Sequence, residues 1–572
     1  MPDDFSADSY DAPPSFWRRH ADRLWAAGVF LATVVLTVAA FPPSRTPEFA
    51  YAFAVPALFW AYLRPAFRLF ALTTLAAQAV AWTIILGWLH HVTWGGLVLL
   101  GPFIGAWIGS WFLAAWWTLP RMLGRPVLTR LLALFGLAGL WVVIEWTRTW
   151  MLSGFPWLPL AASQWQRMSI LQIASFTGAG GVSFVLIAMN LGFTAYAHRL
   201  LRENERGFNR RSQEFLAAMF LLLVCVATQV QETFNRPRYA VPLGRFAFVQ
   251  PYIPQNVKWD PSEGPGILRV LETLTLAAGS TKPDVILWPE ATTPWAVKGN
   301  ADTRAWVEHL AHAAGAPLVL GSIAIEPPAR TGGEEDWFNS VFVIDPATGL
   351  QPHSYAKRKL VPFGEFVPLR PLLGWLGKFV PIGDDFGRGD DPSPLLVNTA
   401  ARPLALGTLV CYEDIFPALA RQSVLAGADL LVVHTNNGWF GTGGAAYQHA
   451  ANSVLRAVET RRPVLRCGNG GWSGWIDEFG SIRAVLTQDP DTGTMSVDPL
   501  EARVGTVYFR GTQTVAVSAD SRWIDRQSFY VQHGDWFIGL CTALAALGFL
   551  ALRPAPLAPV KTPAHDSLTE RG

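Results

Sequence analysis

The 572-residue sequence is poor in charge and poor in cysteine. Asp, Glu, Lys and Arg together make up 15 % of it, against roughly a quarter in soluble domains. Only four cysteines occur, Cys225, Cys411, Cys467 and Cys541, with no CxxC and no close pair. That excludes a disulfide framework and a structural zinc site. HExxH, GxGxxG and the P-loop pattern are also missing, so no metal, nucleotide or other cofactor is implied. The net charge is +2, and no basic patch interleaves with aromatics, so nothing points to nucleic acid as a partner.

The shortage of charge is uneven. Residues 24–230 are mostly apolar, whereas 240–505 read like a soluble α/β domain. A spanning helix needs about 20 mainly apolar residues. Candidates lie near 24–41, 49–63, 69–89, 95–119, 131–147, 174–197, 214–231 and 534–552, about eight in all. The second is short and contains Pro56. Asp3, Asp4, Asp8 and Asp11 in the leader argue against a cleaved signal peptide. The 26 tryptophans suit a protein with much membrane-boundary surface.

Loops on the amino-terminal side collect Arg18, Arg19, Arg23, Arg64, Arg68, Arg121, Arg125 and Arg130, then Arg199, Arg202, Arg206, Arg210 and Arg211. Opposite loops hold Arg45, Arg148 and Arg167. The positive-inside rule therefore puts both termini in the cytoplasm and the polar domain on the outer side. The expected order is a cytoplasmic segment 1–23, seven spans over 24–231, an outer catalytic domain 240–505, an eighth span 534–552 and a cytoplasmic tail 553–572. Glu145, inside the fifth span, reads either as a functional intramembrane carboxylate or as a helix-end residue that reaches the interface or pairs with Arg148. The stretch GFPWLPLAASQW (154–165) reads as an interfacial loop on the outer side.

Within 240–505, short apolar runs rich in β-branched residues recur: RFAFVQP, DVILWPE, PLVLGSIAI, NSVFVID, ALGTLVCYE, DLLVVHTNN and PVLRCGNGG. They suit buried strands, and helical stretches at 265–279, 302–314 and 445–461 lie between them. That alternation argues for a layered α/β fold. Three residues stand at strand ends or turns: Glu290, Lys357 and Cys411. Each has an ordinary explanation: a helix cap, a solvated Lys-Arg-Lys turn, and a small core residue after an apolar strand. Together they supply what a thiol needs to attack an acyl carbon: a base for its proton and a cation for the developing oxyanion.

The ordered set WPE (288–290), KxxLVPFGE (357–365) and CYE (411–413) resembles the nitrilase, or carbon–nitrogen hydrolase, superfamily. With spans on both sides, and with QPYIPQNVKW (250–259) and NNGWFGTGGAAYQH (436–449), the chain from about 24 to 552 is similar to the apolipoprotein N-acyltransferase family. The resemblance implies a polytopic α-helical bundle carrying an α-β-β-α sandwich. It implies Glu290 as general base, Lys357 as oxyanion stabiliser and Cys411 as nucleophile, with Lys359 the lesser candidate lysine. Glu365 and Glu413 match supporting carboxylates that hold the lysine and the base. Tyr412 follows the nucleophile, where its backbone N–H would help bind the oxyanion. Trp259, Asn339 and Trp439 match positions that line the site or position substrate.

The reaction so implied is ping-pong. A phospholipid, typically phosphatidylethanolamine, gives an acyl chain to Cys411, and the α-amino group of an apolipoprotein's diacylglyceryl-cysteine then takes it. The implied place is the bacterial inner membrane with the catalytic domain in the periplasm. No cofactor is implied, and monomer is the default because no self-association motif stands out. Two rivals stay open: a membrane-anchored amidase that passes the thioester to water, and a transporter or receptor. The second predicts several paired charges within the spans, where only Glu145 is found. On 445–461, Arg456 and Glu459 at i and i+3 read as a surface ion pair worth roughly a few tenths of a kcal/mol.

Directly after FGE comes FVPLRPLLGWLGKFVPIG (366–383), charged only at Arg370 and Lys378. Its Pro and Gly spacing, with Trp375 beside Lys378, suits a hinged arm that touches the membrane and gates the site. Replacing Leu372, Leu373, Trp375 and Leu376 with Ser should spare folding and alkylation of Cys411. Turnover of bilayer phospholipid should fall while a short soluble thioester donor still reacts. Misfolding, or equal loss of both activities, would mark the segment as core.

Overall fold

Long apolar runs become helices wherever nothing interrupts them. In a computed structural model, which describes residues 16–203, 211–327, 335–375 and 385–553, the amino-terminal half folds as α1 (Phe16–Ala40), α2 (Val55–Tyr62), α3 (Phe67–Ile85), α4 (Trp94–Met122), α5 (Val127–Thr147), α6 (Ala174–Thr177), α7 (Ala179–His198) and α8 (Gln213–Tyr239). Most of the expected segment 1–23, the tail after Arg553, part of the 199–211 loop and residues 376–383 of the arm lie outside the described residues. Among the described residues, six helices (α1, α3, α4, α5, α7 and α8) are long and apolar enough to cross a membrane.

The expected second span is not one helix. Two prolines divide it into a 3₁₀ turn, Pro47–Tyr51, and the eight-residue α2, since proline favours helix starts and removes a backbone donor. It still traverses the bundle. Gln448 Nε2 donates to the carbonyls of Pro42 and Ile85, at 3.1 and 2.9 Å, so the ends of α1 and α3 are neighbours. Arg64 and Trp116 bond Pro120 and Pro65, respectively, at the far end of α4. The chain between 43 and 64 therefore crosses back. The expected sixth span is likewise broken, at Gly178, whose φ of +68° separates α6 from α7. A Cβ there would meet the Tyr530 ring at 2.8 Å.

The second half holds β1 (Ala240–Gln250), α9 (Gly264–Ser280), β2 (Val285–Leu287), α10 (Ala301–Ala314), β3 (Leu318–Glu326), β4 (Asp336–Asp345), β5 (Gly349–Leu350), β6 (Tyr355–Ala356) and α11 (Arg370–Leu373). It continues with β7 (Leu395–Asn398), β8 (Pro403–Val410), α12 (Pro417–Leu425), β9 (Leu430–Thr435), α13 (Ala445–Thr460), β10 (Val464–Gly468), β11 (Gly474–Ile476) and β12 (Ile482–Val485). After the short ribbon β13 (Thr487–Gln488) and β14 (Met495–Ser496) come β15 (Gly511–Asp520), α14 (Phe529–His533) and α15 (Trp536–Leu552). One sheet runs β15–β1–β2–β3–β4–β5 with β6 beside β4, the other β12–β11–β10–β9–β8–β7. The sheet therefore extends past the expected boundary at 505, because β15 pairs antiparallel with β1 along its length. Its alternating TQTVAVSAD reads as half-polar, which hid it among loops.

Strand alternation builds the layers. Phe246, Phe248, Leu430 and Val432 meet in the core between the sheets. Ala247 and Val249 face α9 and α10 instead, while Leu431 and Val433 join α13 and the membrane helices in one continuous core. Helix α13 is therefore covered on both sides, by sheet and by bundle. This corrects the surface reading of Arg456 and Glu459: each side chain is 1 % exposed, and they pair at 2.7 Å. Glu459 accepts the N–H of Ala179 at 2.8 Å, and Arg456 donates to the carbonyl of Ile415 at 3.1 Å. The 154–165 stretch is also buried rather than interfacial, with Trp157 and Leu160–Gln164 inside. Glu145 is buried and accepts the Leu160 N–H at 2.7 Å, so it braces that loop. Helix α15, at 17 residues the shortest expected span after α2, lies against Gly136 and Gly139 of α5, where a Cβ would meet backbone oxygens at 2.8 and 2.6 Å.

Gln448 of α13 is the joint between the two halves. Its Oε1 accepts from the indoles of Trp88 at 3.0 Å and Trp157 at 2.9 Å, while its Nε2 makes the two carbonyl bonds given above. Gln448→Leu keeps the bulk and strands four buried polar groups, at roughly 1–3 kcal/mol for each left unpaired. The thermal unfolding temperature in detergent should drop by several degrees, and an unchanged temperature would show that the joint carries no load.

Candidate active site

Parallel pairing of β1, β2 and β3 in one sheet, and of β8, β9 and β10 in the other, brings several strand ends to one side. Glu290 follows β2 by three residues, Cys411 directly follows β8, and Lys357 directly follows β6. Cys411 sits at φ +50° and Ala291, next to Glu290, at φ +43°. Both values are uncommon for side-chain-bearing residues and are held only by dense surroundings. One such constraint is Gly321 on β3, where a Cβ would come 2.5 Å from the Pro289 carbonyl and 2.8 Å from Glu290 Cα. The bare backbone there lets the Glu290 turn close.

The three groups converge. Lys357 Nζ donates to Glu290 Oε1 at 3.2 Å and to Glu365 Oε1 at 2.9 Å. Asn339 Nδ2 donates to the same two oxygens, both at 2.9 Å. The Asn436 N–H donates to Glu290 Oε2 at 3.1 Å, and the Cys411 thiol also hydrogen-bonds Glu290. Thr435 Oγ1 lies 3.4 Å from Cys411 Sγ. Burial alone would raise the Glu290 carboxyl, but Lys357 and Lys258 outweigh it and hold the group below the ordinary range. Burial and the Glu290 charge push the Cys411 thiol up to about 12. Burial would lower Lys357, but Glu290 and Glu365 reverse this and raise it. The resting centre is thus a carboxylate, an ammonium and a protonated thiol.

The remaining expected residues are placed as follows. Glu413 touches neither Lys357 nor Glu290. Its oxygens accept from the N–H groups of Arg358 (2.6 Å), Lys359 (2.9 Å) and Val410 (2.7 Å), and from the Tyr355 hydroxyl at 2.7 Å. It therefore ties the Lys357 turn to the end of β8. The Tyr412 hydroxyl donates to the Gly154 carbonyl at 2.6 Å, fastening the Cys411 turn to the membrane bundle. Trp259 and Trp439 are exposed, and Lys359 lies over the Phe416 ring at 5.0 Å, away from the triad. His449 Nε2 sits 3.1 Å from the Cys411 carbonyl and 2.8 Å from Asp414.

Sequence alone does not single out Lys258, Thr435 or Asn436. Lys258 Nζ donates to the Glu290 carbonyl at 3.2 Å and is buried. The only cue was a lysine preceding the tryptophan of QPYIPQNVKW, which reads as solvated until the fold covers it.

Fold and site together define a class: a carbon–nitrogen hydrolase domain borne on a membrane bundle. The carbon–nitrogen hydrolase family matches residues 245–504, and the apolipoprotein N-acyltransferase N-terminal domain matches 33–192. An apolipoprotein N-acyltransferase from Geobacter metallireducens is 33 % identical over 71 % of this chain and 72 % of its own length. Those from Pseudomonas syringae pv. tomato and Methylococcus capsulatus are 33 % and 30 % identical, over 69 % and 75 % of this chain and 73 % and 76 % of their own. The chain belongs to the apolipoprotein N-acyltransferase family. It is an acyltransferase of the carbon–nitrogen hydrolase superfamily.

Glu413 receives four donors and offers none, so Glu413→Gln turns an NH₂ toward at least one N–H or O–H whichever way the amide is set. The Lys357 turn should shift against Cys411, and acyl-enzyme formation should fall on the order of tenfold or more, as misplacement near reacting groups does. Rates equal to those of the unsubstituted protein, measured by acyl-enzyme mass, would show that the clamp is not needed.

Proposed function

We propose that the chain carries an acyl group from a membrane phospholipid, through a thioester on Cys411, to the α-amino group of the diacylglyceryl-cysteine at the start of an apolipoprotein. The observation that carries this is the convergence of Glu290, Lys357 and Cys411 on a turn fastened to the bundle through Tyr412 and Gly154. Both substrates are held in the bilayer, and a thiol seated against the membrane helices meets them there.

Glu290 takes the thiol proton as Cys411 Sγ attacks the ester carbonyl. Lys357 Nζ stabilises the oxyanion, joined by the Tyr412 backbone N–H. Collapse breaks the ester C–O bond, the lysophospholipid alkoxide takes the proton from Glu290, and the thioester remains. The acceptor's neutral amine then attacks the thioester and gives its proton to Glu290. Collapse breaks the C–S bond, and the departing thiolate recovers that proton. Asn339 and Glu365 keep Lys357 aimed, and Trp259 and Trp439 border the approach. The donor is taken to be the family's typical one, phosphatidylethanolamine, and monomer is the default state.

Sidedness follows from charge. Arg64, Arg68, Arg121, Arg125 and Arg130 flank helix ends remote from the catalytic domain. The positive-inside rule supports a reading with those ends in the cytoplasm and the catalytic domain in the periplasm of a bacterial inner membrane. The exposed Leu369, Leu372 and Trp375 suit the arm that dips toward lipid.

Purified protein given labelled phospholipid should form a hydroxylamine-sensitive acyl-enzyme and pass the label to a diacylglyceryl lipopeptide. Cys411→Ala should abolish this and Cys411→Ser nearly so, since a hydroxyl has far less anion than a thiol. Cys467→Ala should keep most activity, because that thiol is buried on the Leu287 carbonyl at 3.2 Å. Glu290→Gln and Lys357→Ala should each cost about a hundredfold or more, far from additively. An acyl-enzyme in Cys411→Ala, or label released only to water, would contradict the reading.

A further inference from the structure

Lys258 is used nowhere in that reaction, yet it is 2 % exposed and lies at the centre of it. Its Nζ donates to the main-chain carbonyl of Glu290 at 3.2 Å and lies 5.4 Å from the Trp259 ring centroid. Lys357 has two carboxylates in contact; Lys258 has none among the described residues. A buried ammonium without a contacting anion is costly and needs a reason.

The reason lies in the charge of the whole cluster. Glu290 and Glu365 bring two negative charges, and Lys357 returns one. The other groups facing Lys258 and Glu290 are the protonated Cys411 and His434. His434 adds no charge, because burial pushes its imidazole down to about 4. Among the described groups in contact with Glu290 and Lys357, Lys258 supplies the charge that brings the sum to neutrality. The balance survives catalysis, because the proton passes between Cys411 and Glu290 within the same cluster.

We propose that Lys258, as an ammonium, is a positioning residue for acyl transfer: it supplies the second positive charge that keeps Glu290 ionised and pins that residue's main chain beside Cys411. The proposal rests on Glu290 being the base. Burial pushes Lys258 down to about 8, only partly offset by the Glu290 charge. The charge is therefore present below that pH and lost as pH rises through it. Lys357 and Cys411 do not titrate there.

The test is single-turnover acylation of the full-length protein in detergent, across pH, with a short uncharged thioester donor. The unsubstituted protein should lose rate as pH rises through about 8. Lys258→Arg should stay active and lose that alkaline limb, since guanidinium keeps its charge. Lys258→Met should lower the plateau on the order of tenfold and move the acid limb, set by Glu290, to higher pH. A Lys258→Met protein that is less stable but keeps both limbs in place would overturn the proposal. If that variant does not fold, an alkaline limb unmoved in Lys258→Arg would overturn it instead. Failure of the underlying reading looks different: Glu290→Gln would then acylate at the unsubstituted rate whatever stands at 258.

Discussion

A carboxylate shut away from water resists ionisation, and the catalytic end of this protein is organised around keeping Glu290 ionised. Lys357 supplies a contacting cation at 3.2 Å, and Asn339 and the Asn436 N–H satisfy the remaining lone pairs. Burial, reinforced by the same carboxylate, raises the neighbouring thiol to about 12. In the proposed reaction base and nucleophile therefore define each other: the thiol stays protonated until Glu290 takes its proton in the act of attack. The left-handed turn at Cys411, the bare backbone of Gly321 and the four bonds to Glu413 all serve to hold those two groups in reach.

The second constraint is that this apparatus sits on a membrane bundle as one continuous core. Helix α13 carries it, with one face on β9 and β10 and the other on α6, α7 and the 154–165 loop. Buried polar side chains on that helix are not solvent-facing decorations but ties: Gln448 to α1 and α3, Arg456 to the nucleophile turn, Glu459 to the start of α7. Tryptophan serves the junction as well as the boundary, since Trp88 and Trp157 meet at a tilt with centroids 4.9 Å apart and share the Gln448 oxygen. A ligand anchored in the bilayer is thereby presented to a thiol whose support is the bundle itself.

Apolar patterning made most of the architecture legible. The runs RFAFVQP, DVILWPE and DLLVVHTNN are strands, and the stretches at 265–279 and 302–314 are helices within a residue of their ends. Misreadings share one physical origin: burial by a second body that a local pattern does not register. Arg456 and Glu459 looked like a solvated pair because half of α13 is polar, and the 154–165 loop looked interfacial because it is rich in Pro and Trp. Lys258 reads as a solvated lysine for the same reason. The second span was legible as an apolar run but not as a 3₁₀ turn joined to a short helix, since proline sets where the helix starts rather than whether the segment crosses. At the site, chemistry singled out Glu290, Lys357 and Cys411, whereas the bonds of Glu413 to main-chain N–H groups have no side-chain signature.

In the proposed reaction the proton rests on sulfur rather than on the carboxylate. Thiolate absorbance in the ultraviolet, taken as the difference between the protein and Cys411→Ala across pH, reads that directly. No Cys411 thiolate signal is expected through the neutral range, with one emerging only at strongly alkaline pH. A thiolate already present near neutrality would mean a standing thiolate–ammonium pair with Lys357, and Glu290 would not be the base that drives attack.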